Sequence, residues 1–196
     1  KTLKVALVLL IAVVITTCTI SGTFAKYVSG STGSDTARVA KWDIKLNGET
    51  WSDSVEFDLF TYTDANVTTT GANDEKIIAP GTEGSFEFSV KNDSEVAAKY
   101  SIELDVTTAN NIPVEFKVGE GTWSAPVNGK VTLKDNNTLA IGSAADTVTV
   151  CWRWAFTGSE STSYTTSQTD TTDTTLGLAG TATITVNATI NAEQVN

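Results

Sequence analysis

Apolar and polar residues alternate along most of this chain. Residues 40–46 read A-K-W-D-I-K-L, with Ala40, Trp42, Ile44 and Leu46 on one side and Lys41, Asp43 and Lys45 on the other. A period of two marks a strand with one buried face. The pattern returns at Val55, Phe57 and Leu59; at Phe86, Phe88 and Val90; at Tyr100, Ile102, Leu104 and Val106; and at Val114, Phe116 and Val118. It returns again at Val148, Val150, Trp152, Trp154 and Phe156, and finally at Ala182, Ile184, Val186, Ala188, Ile190 and Ala192. Turn-forming stretches separate these runs: Pro80-Gly81, Asn92-Asp93, Asn110-Asn111, Asn128-Gly129 and Asp135-Asn136-Asn137. Past the leader, no segment carries an apolar stripe at helical spacing. About eight strands with one apolar face each predict an all-β fold, a single antiparallel β-sandwich. The mixed connection lengths suit jelly-roll or Greek-key wiring.

The chain opens differently. Residues 5–15, VALVLLIAVVI, are unbroken apolar and follow Lys1 and Lys4; Thr23-Phe24-Ala25 comes after. A basic start, an apolar core of about 7–15 residues and a small-x-small site define a secretory signal. A membrane-spanning helix needs about 20 apolar residues, and Thr16, Thr17 and Thr19 interrupt this one. The expected cleavage lies between Ala25 and Lys26. The chain then divides into a signal-peptide helix (1–25), an N-terminal assembly segment or linker (26–39) and the sandwich domain (40–196).

Composition narrows the partners and the chemistry. Without the two leader lysines, 11 basic residues face 23 acidic ones, a net of −12. That balance disfavours nucleic acid and anionic membrane surfaces; the uncleaved leader is the one expected membrane contact. There is no histidine, which removes Ser-His-Asp and Cys-His nucleophiles and HExxH zinc sites. Cys151 is alone past the leader and sits on the opposite face from Val150 and Trp152, so neither a disulfide nor a thiolate zinc cluster forms there. No carboxylate pair stands out for glycoside hydrolysis. Residues 157–175, TGSESTSYTTSQTDTTDTT, read as a long solvated loop; within it Asp170 and Asp173 are weak calcium candidates whose spacing matches no EF-hand. The expectation is a protein with no catalytic activity and no cofactor.

Three stretches resemble the TasA/camelysin family of exported bacterial proteins. SGTFAKY, at the leader junction, resembles that family's GGT-aromatic-A motif. APGTEGSFEFSVKNDSEVAAKYSIEL, residues 79–104, is similar to its Pro-Gly turn, strand, Asn-rich turn and second strand. ATITVNATINAEQVN resembles its closing strand. The resemblance implies a jelly-roll domain released by a dedicated signal peptidase and built into biofilm-matrix fibres at the cell surface, with the freed N-terminal segment of one subunit completing the next one's sheet. An accessory anchoring protein is a further partner it suggests. Camelysin carries a metalloprotease label, but this chain has no histidine and no zinc-ligand cluster, so that activity does not carry over.

The physics of such assembly is simple. A sheet edge presents unpaired N–H and C=O groups, and an extended segment can pair there while burying alternate side chains. Residues 26–33 would span about 26 Å when extended, against an expected radius of gyration of about 15–16 Å for the domain. The assembly residues expected are Lys26, Tyr27, Val28, Ser29 and Gly30. Head-to-tail contacts do not close and therefore give filaments. Two other functions fit the composition: an extracellular carbohydrate-binding or adhesion module using Trp51 and Trp123, and a secreted hydrolase.

Overall fold

A computed structural model describes residues 2–20, 34–50, 57–109, 111–164 and 170–195. It divides into two units, Lys1–Arg38 and Val39–Asn196. In the first, the leader forms α1 (Thr2–Ile20). The Thr16 hydroxyl donates back to the Ala12 carbonyl at 2.5 Å, the local bond that lets a threonine sit in a helix. Among the described residues, no helix is both long and apolar enough to cross a membrane.

The second unit is two antiparallel sheets. Its strands are β1 (Ile44–Leu46), β2 (Glu49–Thr50), β3 (Glu83–Asn92), β4 (Ala98–Thr108), β5 (Val114–Val118), β6 (Lys130–Leu139), β7 (Asp146–Trp154) and β8 (Ile184–Gln194), with α2 (Asp170–Ala179) before β8. One sheet runs β2-β1-β3-β7-β5 and the other β6-β4-β8, so from β3 onward successive strands alternate between sheets. The alternating residues face as the sequence predicts: Phe88, Val90, Tyr100, Ile102, Leu104, Val150 and Trp152 are at most 2% exposed.

Trp152 anchors this core. Its Nε1 donates to the Leu59 carbonyl at 2.6 Å, and Phe60 and Tyr62 meet the indole edge-on at 5.1 and 5.4 Å. Directly across the ladder stands Gly84; a Cβ there would lie 2.8 Å from Trp152 Nε1, so only glycine lets the indole lie over the β3 backbone. Polar side chains tie the two sheets together. Buried Asn92 donates to the carbonyls of Val96 and Leu139 at 2.9 and 3.1 Å. Asp146, at the start of β7, accepts from Tyr100 on β4 at 2.7 Å and from Lys134 on β6 at 2.8 Å. Burial, and then the Asp146 carboxylate, push the Tyr100 hydroxyl well above its ordinary pKa.

Five expectations need correction. Ala40 and Trp42, expected on the buried face of a strand over 40–46, precede β1 and are exposed, Trp42 at 46%. The alternation around Phe57 and Leu59 makes no strand among the described residues 57–60; these side chains instead cover the core from a loop. Asp135-Asn136-Asn137 does not turn the chain but lies inside β6, as a bulge in its pairing with β4 where Asn136 takes φ 52°. The predicted loop 157–175 includes the first part of α2, despite four threonines in that helix. Phe156 lies past the end of β7 and is 61% exposed.

Gly84→Ala should lower stability by about 1–3 kcal/mol, because the indole must move off its carbonyl partner. Gly177→Ala, in open space on α2, should raise it by about 0.5–1 kcal/mol. Chemical denaturation of the two variants checks both signs.

Candidate functional site

The four strands at the sheet edges are not alike. β2 has two residues among those described. β5 has five, and Ser124 pairs back onto Phe116 with bonds of 2.8 and 2.9 Å in both directions, covering its outer side. β6 is bulged and carries Lys130, Lys134 and Asp135. Short length, covering, bulges and charge are the usual ways of closing an edge to other chains. β8 is long and unbulged, and its one charge is Glu193 near its end. It runs 11 residues, pairs with β4 in unbroken register from Ile184↔Thr108 to Gln194↔Ala98, and contains no lysine, arginine or proline. Among the described residues its other edge has no strand partner.

The inward face of β8 is also incompletely covered. Its row Ile184, Val186, Ala188, Ile190 and Ala192 is half-buried throughout. The row beside it on β4 (Ala98, Tyr100, Ile102, Leu104, Val106) is buried to between 0 and 8% exposure. Two neighbouring strands with the same inward pattern thus differ in burial. The apolar face continues to β8 but its covering layer does not. The outward row (Thr185, Asn187, Thr189, Asn191, Glu193) is exposed and polar.

A second polar cluster lies on the outer face of the five-stranded sheet. Glu115 alternates outward on β5 yet is 0% exposed. Its Oε1 accepts from Ser161 Oγ, Thr162 N and Ser163 N, each at 2.8 Å, and from Thr162 Oγ1 at 3.0 Å. Its Oε2 accepts from Arg153 Nε and Nη2 at 2.9 and 2.8 Å. Burial works to raise this carboxyl, but the bonds from Ser161, Arg153 and the Ser163 and Thr162 amides outweigh it and hold the group below its ordinary range. The arrangement straps residues 157–164 across β5 and β7. Sequence reading missed it because V-E-F-K-V places Glu115 on the solvent side; the signal was the run of hydroxyl donors in S-T-S some 45 residues further on.

The sequence-predicted residues fall as follows. Ala25, Lys26, Tyr27, Val28, Ser29 and Gly30 lie outside the described residues, as does Trp51. Trp152 and Trp154 are core, closed to any ligand. Half-buried Trp123 has the Arg153 guanidinium 4.6 Å and the Lys117 ammonium 5.2 Å from its ring centre, so cations of its own domain already engage the ring. Asp170 and Asp173 lie in the first turn of α2. Asp173 Oδ1 and Trp154 Nε1 are both buried, close together but short of hydrogen-bond geometry. Burial, opposed by the indole and helped by Asp170, raises the Asp173 carboxyl. Among the described residues no three His, Cys, Asp or Glu side chains converge as metal ligands. No protein-family model matches this chain, and no curated protein matches it.

Glu115→Ala should cost about 3–5 kcal/mol, since it strands the Arg153 charge and four donors, and should open residues 157–164 to protease. The pH dependence follows from the depressed carboxyl. Its contribution is complete above the unfolded carboxylate range and is lost as pH falls through the folded value. Asp173, raised, acts in the opposite sense: it favours the fold in acid and less so as pH rises. Denaturation between pH 7 and 3 should show Glu115→Gln starting less stable and losing less on acidification than the wild type.

Proposed function

We propose that this protein is a secreted structural subunit of extracellular, biofilm-matrix-type fibres, and that it polymerises by laying its freed N-terminal segment along β8 of the next subunit. The observation that carries the reading is the long edge of β8, without a strand partner among the described residues, with its half-covered apolar row. A strand added there would pair its backbone, bury alternate side chains and complete the covering layer in one step. The alternation of strands between sheets supports jelly-roll wiring. The resemblance to the TasA/camelysin family supports the same role, with a signal peptidase as the releasing enzyme and an anchoring protein as a further partner.

Length and direction agree with it. Cleavage after Ala25 leaves residues 26–38 before the domain, about 43 Å if extended, against about 36 Å for the 11 residues of β8. The domain begins at the end where β3 finishes: Glu95 N donates to the Lys41 carbonyl at 2.9 Å, and Asp93 N to that of Asp43 at 2.9 Å. β8 starts at the opposite end, Ile184 pairing with the last residue of β4. In a head-to-tail stack the donated segment would therefore run against β8, extending the antiparallel order of β6, β4 and β8. Before cleavage the leader keeps the segment tied, so cleavage serves as the switch for assembly.

Chain purified to begin at Lys26 should form filaments by electron microscopy and sediment as polymer, whereas chain lacking residues 26–36 should remain monomeric. Identical behaviour of the two would sink the strand-donation reading.

A further inference from the structure

The pairing of β6 with β4 is irregular in two places, between Tyr100 and Ile102 and between Ile102 and Glu103. The irregularity brings two residues three apart in sequence onto one face. Lys134 stands opposite Ile102, and Asn137 opposite Tyr100. Residues directly opposite in an antiparallel pair share a face, and Ile102 and Tyr100 are core, at 0 and 2% exposure. Lys134 and Asn137 therefore both lie on the core-facing side of β6, where a regular strand would place only one of them.

Both side chains reach the same carboxylate. Lys134 Nζ donates to Asp146 Oδ1 at 2.8 Å, and Asn137 Nδ2 donates to Asp146 Oδ2 at 3.3 Å. The Tyr100 hydroxyl donates to Oδ2 at 2.7 Å and fixes that oxygen. An ammonium and a primary amide thus sit side by side on one acid. Of the lysines in the described ion pairs Lys134 is the least exposed, at 19%. Leu133, Leu139 and Val148, close by along the same strands, are buried, and partial burial weakens the hydration that favours a charged amine. Burial works to raise the Asp146 carboxyl, but the bonds from Lys134, Tyr100 and Asn137 outweigh it and hold the group below its ordinary range. It stands ionised, as a base must.

We infer that Lys134 and Asn137 join in an intramolecular isopeptide bond, with Asp146 as the catalytic acid–base. Asp146 takes a proton from the Lys134 ammonium. The freed Nζ lone pair attacks Asn137 Cγ; the Nζ–Cγ bond forms and the Cγ–Nδ2 bond breaks. Asp146 relays the two protons that Nζ gives up to the departing nitrogen, which leaves as ammonium, and the carboxylate is regenerated. The reaction needs no oxidant and no cofactor. Asn137 is the electrophile because Asp146, bonded to both partners, already fills the carboxylate's role. The product is a secondary amide that closes the chain across the bulge. It locks the irregular register of β6, so that this edge cannot straighten and pair with another chain. The inference does not depend on the fibre reading.

Intact-mass spectrometry of the folded chain starting at Lys26 reads the bond directly. The expected mass falls short of the sequence by one ammonia. Trypsin should then release residues 131–153 as a single piece, because Lys134 no longer presents a free ammonium, with Lys134 joined to Asn137 in its fragment spectrum. Lys134→Arg keeps a cation beside Asp146 but cannot close the bond, and it should restore the full sequence mass, as should Asn137→Ala. Asp146→Ala should restore it too. A wild-type chain of full sequence mass overturns the inference. So does a deficit of one water, which would join Lys134 to Asp146 instead. A deficit that survives Lys134→Arg overturns it as well, since the ammonia would then come from elsewhere, such as Asn47-Gly48 or Asn128-Gly129. A bond that still forms in Asp146→Ala overturns the role of Asp146.

Discussion

The constraint behind this molecule is that backbone amides and carbonyls must be paired or hydrated, and that an apolar face must be covered. Here a five-stranded layer faces a three-stranded one. Three strands cannot cover five, so the deficit is made up from elsewhere: Phe57, Phe60, Tyr62 and Ile78 from the loops before β3, and Leu176 from α2, pack against the same core. The covering is complete over Trp152 and Phe88 and fades at β8. The half-buried row of β8 has a different origin: β8 is the edge strand of the smaller layer, and the covering side chains stop short of it.

The place of β8 at an edge gives meaning to the treatment of the other edges. β2, β5 and β6 are shortened, covered or bulged and charged, and each device costs some regular pairing. The bulge at Asn136 holds a non-glycine residue at positive φ, a conformation that asparagine tolerates better than most. Among the described residues three edges are treated in this way, and the longest, β8, has no strand beside its outer side. The outer face of the larger sheet is guarded too, by the Glu115 strap. Its two oxygens hold the Ser/Thr loop over β5 and β7, so the polar loop becomes a fixed cover.

Much of this was legible in the sequence where a local rule and the tertiary context agree. β3, β4, β5, β7 and β8 follow their period of two, and Asn128-Gly129 makes the tight turn its left-handed residues allow. β6 was not legible because D-N-N reads as a turn locally, while pairing with β4 carries it through as a bulge. α2 was not legible because threonine and glycine disfavour helix; its place follows from Leu176 packing on the core and from Asp173 against Trp154. The site itself was half legible. The alternation of T-I-T-V-N-A-T-I-N-A predicted a strand with one buried face, but no one-dimensional pattern says that a strand lies at an edge or that its face is left half covered. Both depend on which strands fold beside it.

Strand donation in the proposed fibre gains little per residue. Within residues 26–33 only Tyr27 and Val28 are strongly apolar, and Gly30 and Gly33 lose more freedom on ordering than any other residue type. A segment of that composition gains mainly backbone bonds, whose net worth in water is about 0.5–1.5 kcal/mol each, and it must set these against the entropy of fixing an extended chain. Binding from free solution would be weak. In the proposed fibre a neighbouring subunit already in contact receives the segment in an intramolecular step at high effective concentration, which lets a weakly binding segment hold a polymer.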